Sequence, residues 1–78
     1  MSLEGPSAVR ARLRATVRAR REQLGLSQAM AAMRVGLTQS DLAHLEDPSD
    51  PKGVSLERLI CVLHLLGCRV EVTVHGVD

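Results

Sequence analysis

The first and last helices of the chain are indicated by the spacing of apolar residues. Between residues 7 and 24, apolar side chains recur at helical spacing at Val9, Leu13, Val17 and Leu24. A second stripe lies between residues 56 and 66 and consists of Leu56, Leu59, Ile60, Leu63 and Leu66. Such spacing places side chains on one face of a helix. We therefore predict helices over residues 7–24 and 56–66, each buried along its stripe.

Two shorter helices are predicted between them from residues that start and stop helices. Ser27 and Thr38 can each accept a hydrogen bond from a free backbone N–H at a helix start. Gly36 can adopt the positive φ that ends the first of these helices, and Pro48 ends the second because it lacks an N–H. Asp41 follows Thr38 at capping-box spacing, with Asp in place of the usual Glu. Two short helices joined by a glycine turn are the outline of a helix-turn-helix.

Residues 68–75 alternate between apolar and polar side chains, which predicts a half-buried strand. No second strand pattern occurs in the sequence, and a lone strand cannot complete its backbone hydrogen bonds. Pairing with the same strand of a second chain across a two-fold axis would complete them. Helix 56–66 also has apolar residues outside its main stripe, which favours a second neighbour. The residues predicted to form the dimer interface are Val62, Leu65, Val70, Val72 and Val74.

The length and composition also favour association. A chain of 78 residues makes one domain that is marginally stable alone, and it contains no Phe, Tyr or Trp for its core. Residues 1–6 show no pattern and are predicted to be disordered, so the domain spans residues 7–78. The sequence has neither a membrane-spanning apolar run nor a signal-peptide pattern. We therefore expect a cytoplasmic protein without a membrane partner.

The net charge of +1 conceals an asymmetry between the two halves. Residues 1–34 contain seven Arg against two Glu, a net +5, and residues 35–78 contain three basic against seven acidic residues, a net −4. The basic half suits a polyanion, and the alternative is a solvated arginine-rich helix face. The acidic half can serve solubility or meet a basic partner.

Several segments together resemble a known family. REQLGLSQ, GLTQS and the LE of residues 45–46 resemble, at this spacing, the lambda repressor/Cro-type (XRE) helix-turn-helix family. VSLERLICVLHLLGCRVEV resembles its HipB- and HigA-type antitoxin branch, and the likeness covers roughly residues 10–75. It implies an all-α, four-helix lambda-repressor-like DNA-binding domain with one C-terminal β-strand, residues 68–75, pairing across a homodimer. The implied partners are double-stranded operator DNA and, in the antitoxin branch, a cognate toxin.

The resemblance also implies roles for single residues. The side chains expected to face base edges are Gln39, Ser40 and His44, and those expected near phosphates are Gln28 and Thr38. A glutamine can reach both N6 and N7 of adenine in the major groove. Lys52 is the one basic residue between Asp47 and Gly53, so we predict a phosphate contact there as well.

Arg21 lies on the apolar stripe of the first helix, where an unpaired charge would be very costly. In the family it resembles, an arginine here pairs with the glutamate that ends the recognition helix, which is Glu46 in this chain. We therefore expect Arg21 and Glu46 to form a structural ion pair. The other arginines are expected to face outward, where those near the start of the helix can reach phosphates, namely Arg10, Arg12 and Arg14.

Some residues keep more than one interpretation. Asp41 either caps its own helix, accepts a hydrogen bond from cytosine N4, or weakens DNA binding through repulsion of phosphate. Met30 and Met33 are either partly buried and fill gaps, which we favour, or form a sticky exposed surface.

No other chemistry has comparable support in the sequence. The spacing of Cys61, His64, Cys68 and His75 does not match a zinc site, and the two cysteines are expected to be reduced thiols. No cluster of nucleophiles, acids or bases indicates an enzyme, and no cofactor is implied. The sequence therefore favours a dimeric DNA-binding repressor, more specifically the antitoxin of a toxin–antitoxin operon. The alternative is a protein-interaction module that neutralises a partner and binds little DNA.

Overall fold

A computed structural model describes residues 5–76, which contain four helices and no strand. The helices are α1 (Pro6–Gln23), α2 (Gln28–Val35), α3 (Gln39–Glu46) and α4 (Leu56–Leu65). Helix α1 begins within the segment predicted to be disordered, and the rest of that prediction, residues 1–4, lies outside the described residues. No helix within residues 5–76 combines the length and the apolar character needed to cross a membrane.

The two predicted N-caps, Ser27 and Thr38, are confirmed, and Ser55 caps α4 in the same way. The hydroxyl oxygens of Ser27, Thr38 and Ser55 accept hydrogen bonds from backbone N–H groups three residues later, over 3.0 to 3.1 Å. Helix α2 ends at Gly36, whose φ of 73° lies in the left-handed region that residues with a Cβ rarely adopt. Helices α2 and α3 therefore meet at a tight turn, as the pattern of caps predicts.

The core lies between α1 and α4. Helix α3 packs against α1, helix α2 packs against α4, and α2 and α3 pack against each other. Its largest fully buried side chains are Val17, Leu42, Leu59, Leu63 and Leu66. The predicted stripe of α1 is only partly correct, because Val9 is 39% exposed. The first turns of α1 face the polar segment after α3, where Ser7 and Arg10 line a shallow cavity with Pro48 and Asp50.

Two predictions about α2 and α4 change in the folded chain. The favoured burial of Met30 and Met33 is wrong, because these side chains are 55% and 81% exposed while Ala31 and Ala32 fill the core side of α2. Val62, which the sequence places in the dimer interface, is instead buried in the core of the single chain. Leu65, from the same predicted group, remains 48% exposed.

The C-terminal tail, residues 67–76, follows α4 without regular structure. Cys68 and Val70 pack partly against the core, whereas Val72 and Val74 are 78% and 87% exposed. A strand is defined by backbone hydrogen bonds to a neighbouring strand, and residues 5–76 of one chain provide none. Pairing of residues 68–75 across a dimer therefore stays a prediction.

Candidate nucleic-acid interface

Helix α3 separates a buried face from an exposed polar face. Leu42, Leu45 and Glu46 are buried, while Gln39 and Ser40 are exposed. His44 and Asp41 are also on the exposed side, and the His44 side chain is 48% exposed. Residues four apart share one face of a helix, so Ser40 and His44 lie on the same side. The structure thus brings the three side chains predicted to face bases onto one accessible surface.

Thr38, at the start of α3, is exposed and engaged in capping. Its hydroxyl oxygen accepts from the backbone N–H of Asp41 at 3.0 Å, which is one half of the predicted capping box. Within residues 5–76 the Asp41 carboxylate makes no hydrogen bond back to Thr38. The carboxylate therefore stands on the exposed face of α3, where its charge is available to whatever that face meets.

A buried carboxylate fixes the C-terminal end of α3. Glu46 is 3% exposed and accepts two hydrogen bonds from Arg21, at 2.6 Å from Nε and 3.0 Å from Nη2. Such a fork-shaped contact is stronger and more directional than a single bond. The hydrogen bond to Glu46 raises the pKa of Arg21, so the guanidinium keeps its charge. Arg21 also donates to the Leu26 carbonyl at 2.9 Å and so ties α1 to the segment before α2.

Gln28 belongs to the same network. Its side-chain amide donates to Oε1 of Glu46 at 3.1 Å, which links the first residue of α2 to the last residue of α3. Gln28 is predicted from the sequence to contact phosphate, and here its amide is directed to a neighbouring helix. Breaking a buried charge network of this kind typically costs about 3–5 kcal/mol. The two short helices are therefore held in a fixed relative orientation.

Arg14 departs furthest from the sequence-based expectation, because it is buried instead of facing outward. Its guanidinium donates to the carbonyls of His44 and Leu45 in the last turn of α3, at 2.5 and 3.0 Å. It also donates to the carbonyls of Asp50 and Lys52, at 3.4 and 3.3 Å. A cation at a helix C-terminus satisfies carbonyls that lack intrahelical partners and complements the helix dipole. Arg14 is thus a C-terminal cap for α3 that also holds the following loop.

Arg20 plays a similar part at α4. Its Nε donates to the carbonyl of Leu66 at 3.0 Å, immediately beyond the end of that helix. Sequence reasoning missed both caps because backbone carbonyls carry no signature in a sequence. The position of Arg14 held one usable signal, since it lies two helical turns before Arg21 and one turn before the buried Val17.

The α3–α4 loop, residues 47–55, places a carboxylate beside the exposed face of α3. Asp50 contacts Nδ1 of His44 through one carboxylate oxygen and accepts from the backbone N–H of Lys52 at 2.8 Å through the other. These two hydrogen bonds, that of His44 first, lower the pKa of Asp50. Asp47 accepts from the hydroxyl and the backbone N–H of Ser49, which lowers its pKa as well.

The charge of the site is less basic than the sequence predicts. Arg14, Arg20 and Arg21 are engaged with other parts of the fold, and Arg18 is paired with Glu22 on the surface. Lys52 is exposed, as its predicted contact with phosphate requires. The arginines of α1 therefore largely bind other groups of the same chain, and few of them remain to form a basic surface.

The described part of the chain contains neither a candidate metal site nor a disulfide. Residues 5–76 contain no group of three or more His, Cys, Asp or Glu side chains that could hold a metal ion. Cys61 and Cys68 are free thiols, the first exposed and the second half-buried.

Comparison with known proteins places this geometry in a family. No curated protein and no solved structure gives a significant match to the chain. A family described as a helix-turn-helix domain matches residues 4–75, which include all four helices. The chain therefore belongs to this helix-turn-helix domain family, whose fold is typical of DNA-binding regulators.

Proposed function

We propose that the protein is a sequence-specific transcriptional repressor that binds a palindromic operator as a homodimer. The observation that carries the proposal is the exposed polar face of α3, with Gln39, Ser40 and His44, on a helix fixed by the Arg21–Glu46 pair. A rigid helix with short polar side chains near its start suits the major groove, where base edges are read. Thr38 and Lys52 would contact the adjacent phosphates, which position a protein on DNA.

The proposed dimer rests on apolar surface that the single chain leaves uncovered. Val72 and Val74 are exposed, and a largely apolar groove of about 450 Å³ between α4 and the start of the tail is lined by Leu65, Cys68 and Val70. Pairing two tails would give residues 68–75 their backbone partners and would cover these side chains. Two-fold symmetry would then present two α3 helices to half-sites about one DNA turn, ~34 Å, apart.

A narrower version makes this cytoplasmic repressor the antitoxin of a toxin–antitoxin operon. It rests on the resemblance of VSLERLICVLHLLGCRVEV to HipB- and HigA-type antitoxins. Such a protein would bind its own promoter and also a cognate toxin. Co-expression with the neighbouring reading frame, followed by co-purification, would test this second partner.

A second candidate function is a protein-interaction module that binds little DNA. The exposed carboxylates of Asp41 and Asp47 favour it, because they would repel phosphate, and because three α1 arginines are engaged within the fold. Opposite charges on a basic partner protein would suit the same surface.

The two candidates separate in a selection of binding sites from a random duplex library at two salt concentrations. A repressor should enrich a palindromic motif, and its affinity should fall steeply with salt through counterion release. Gln39→Ala should then relax the preference at one position per half-site, at a cost of about 1–3 kcal/mol. An unchanged motif bound equally tightly would remove Gln39 from the readout, and the absence of any motif would favour the interaction module.

Asp41 provides the second arm of this test. Asp41→Gln should strengthen DNA binding if the carboxylate faces the groove, because a source of phosphate repulsion disappears. If affinity stays the same, the role of Asp41 is confined to the start of α3, where the substituted residue retains its backbone N–H bond to Thr38.

A further inference from the structure

In one hydrogen bond on the exposed face of α3, the chemistry of the partners determines which of them donates the proton. His44 reaches the carboxylate of Asp50 through Nδ1, and an ionised carboxylate can only accept a hydrogen bond. A neutral imidazole carries its proton on one nitrogen, so this contact requires the proton on Nδ1 and leaves Nε2 as an acceptor. Within residues 5–76 no hydrogen bond engages Nε2. The lowered pKa of Asp50 keeps its carboxylate ionised.

Asp50 is itself held in place by three independent contacts. Its second carboxylate oxygen accepts from the Lys52 backbone, its own carbonyl accepts from the buried Arg14, and its N–H donates to the Asp47 carbonyl at 3.1 Å. Arg14 also binds the His44 carbonyl. The backbone carbonyls of His44 and Asp50 are therefore bound by the same guanidinium, which holds the two residues close to each other.

We infer that Asp50 is a positioning residue that fixes His44 in the Nδ1–H tautomer and so makes it select a base amine. The inference rests on the proposed function. In the major groove, an imidazole acceptor pairs with the amine of cytosine (N4) or adenine (N6), whereas an imidazole donor pairs with guanine N7 or O6, adenine N7 or thymine O4. Cytosine thus suits only the acceptor, and guanine and thymine suit only the donor. The choice between these two classes of base is thus made by a loop residue that need not touch the DNA.

The other charged groups around the ring do not dictate this tautomer. His44 shares a shallow cleft of about 200 Å³ with the charged side chains of Asp41, Lys52 and Arg58. Of the side chains in residues 5–76, that of Asp50 alone forms a hydrogen bond or ion pair with the imidazole. Asp50 is therefore the residue to change.

Asp50→Asn is a sharp test because it alters one polar atom. The asparagine oxygen can still accept from the Lys52 N–H, while its amide group replaces the oxygen that faces Nδ1 and donates there instead. This should reverse the tautomer and convert Nε2 into a donor. Asp47→Asn is the matched control in the same loop, since Asp47 is bonded to Ser49 and not to His44.

The tautomer of the His44 ring is determined first, by ¹⁵N NMR of the free proteins at a pH of about 8.5, above the usual titration range of histidine. We expect a protonated Nδ1 and a bare Nε2 in the original protein and in Asp47→Asn, and the reverse in Asp50→Asn. A proton on Nε2 of the original protein would overturn the inference without any reference to DNA.

Site selection at the same pH tests the readout. The original protein and Asp47→Asn should prefer cytosine, or adenine through N6, at one position per half-site, and Asp50→Asn should shift that position toward guanine or thymine by about 3- to 10-fold. In a His44→Ala background, Asp50→Asn should change nothing at this position. A motif that is identical for Asp50→Asn would overturn the inference and leave the proposed function standing, whereas no motif for any variant would overturn both.

Discussion

The α3–α4 loop and the C-terminal tail are the two long segments outside the helices of residues 5–76, and they differ in how they are held to the rest of the chain. The loop contains no regular structure, yet Arg14 binds two of its carbonyls, and Asp47 and Asp50 fold their side chains onto nearby backbone N–H groups. The tail has a regular strand pattern, yet its outer part, with Val72 and Val74, is exposed. A regular sequence pattern and a backbone held by hydrogen bonds are thus separate properties of these two segments.

The difference shows where each segment finds its hydrogen-bond partners. A loop that carries Asp and Ser can satisfy its own backbone, and one buried arginine supplies the remaining donors. A strand cannot do so, because its partners must come from a second strand. The loop therefore finds hydrogen-bond partners within one chain, whereas the tail would find its partners in the proposed dimer.

The largest expected effect comes from breaking the loop. Arg14→Met keeps much of the side-chain volume but removes all five donors, so carbonyls of α3 and the loop lose their partners. We expect a loss of about 3–4 kcal/mol in the free energy of unfolding, measured by urea denaturation. Arg18→Met is the matched control, since Arg18 forms an exposed pair with Glu22 and should cost about 0.5 kcal/mol or less. Equal losses in the two variants would contradict the capping role.

The tail is tested by a charge on its apolar side. Val72→Lys should raise the dissociation constant of the proposed dimer by about 100-fold or more, because pairing would bury the ammonium group. Since Val72 is 78% exposed in the single chain, the monomer should keep its helical content. Thr73→Lys, on the opposite side of the predicted strand, is the control. If light scattering still shows a Val72→Lys dimer at low concentration, the proposed pairing of the tails is contradicted.

Two glycines sharpen the comparison between turn and loop. Gly36 has a φ of 73° with open space around a Cβ, so Gly36→Ala changes only the backbone energy. We expect a loss of about 1–2 kcal/mol. Gly53, in the loop, has no positive φ and equally open space, so Gly53→Ala should leave stability within about 0.5 kcal/mol. Thermal unfolding of both variants would measure the difference, and similar melting points would contradict the strain at Gly36.

The smallest effect is a pH dependence that originates in the loop. Asp47 and Asp50 have lowered pKa values in the folded chain, so the unfolded chain binds protons more readily. Their contribution is present above the usual aspartate pKa of about 3.9 and is lost as pH falls through the folded values. Stability should therefore decline below about pH 4, and this part of the decline should shrink in Asp50→Asn. Denaturation at several pH values would check the slope.

The sequence predicts what local chemistry decides. Ser27, Thr38 and Ser55 cap helices because each acts on a backbone three residues away, and the buried leucines of α4 follow from spacing alone. Val62 could not be placed in this way, since which side of α4 is covered depends on how α1 and α2 pack against it. The same applies to Met30 and Met33, whose exposure depends on Ala31 and Ala32 filling the core side of α2.

The candidate site was predictable to a similar degree. The polar face of α3 is visible in the order of its residues, and Arg21 is conspicuous as a charge on an apolar stripe. The pairing of Asp50 with His44 was not predictable, because it depends on the path of the α3–α4 loop. Arg14 sets that path through carbonyls more than 30 residues away, and carbonyls are present at every position of a sequence.

The contact between Arg20 and the Leu66 carbonyl has a consequence for geometry over a longer range. It fixes the point where the chain leaves α4, and a Cβ on Gly67 would come within 3.1 Å of the same guanidinium. If two chains join through their tails, the angle of departure at Gly67 determines how far the two α3 helices are rotated about the symmetry axis. Arg20 would then influence the relative placement of the two α3 helices through the backbone that it binds.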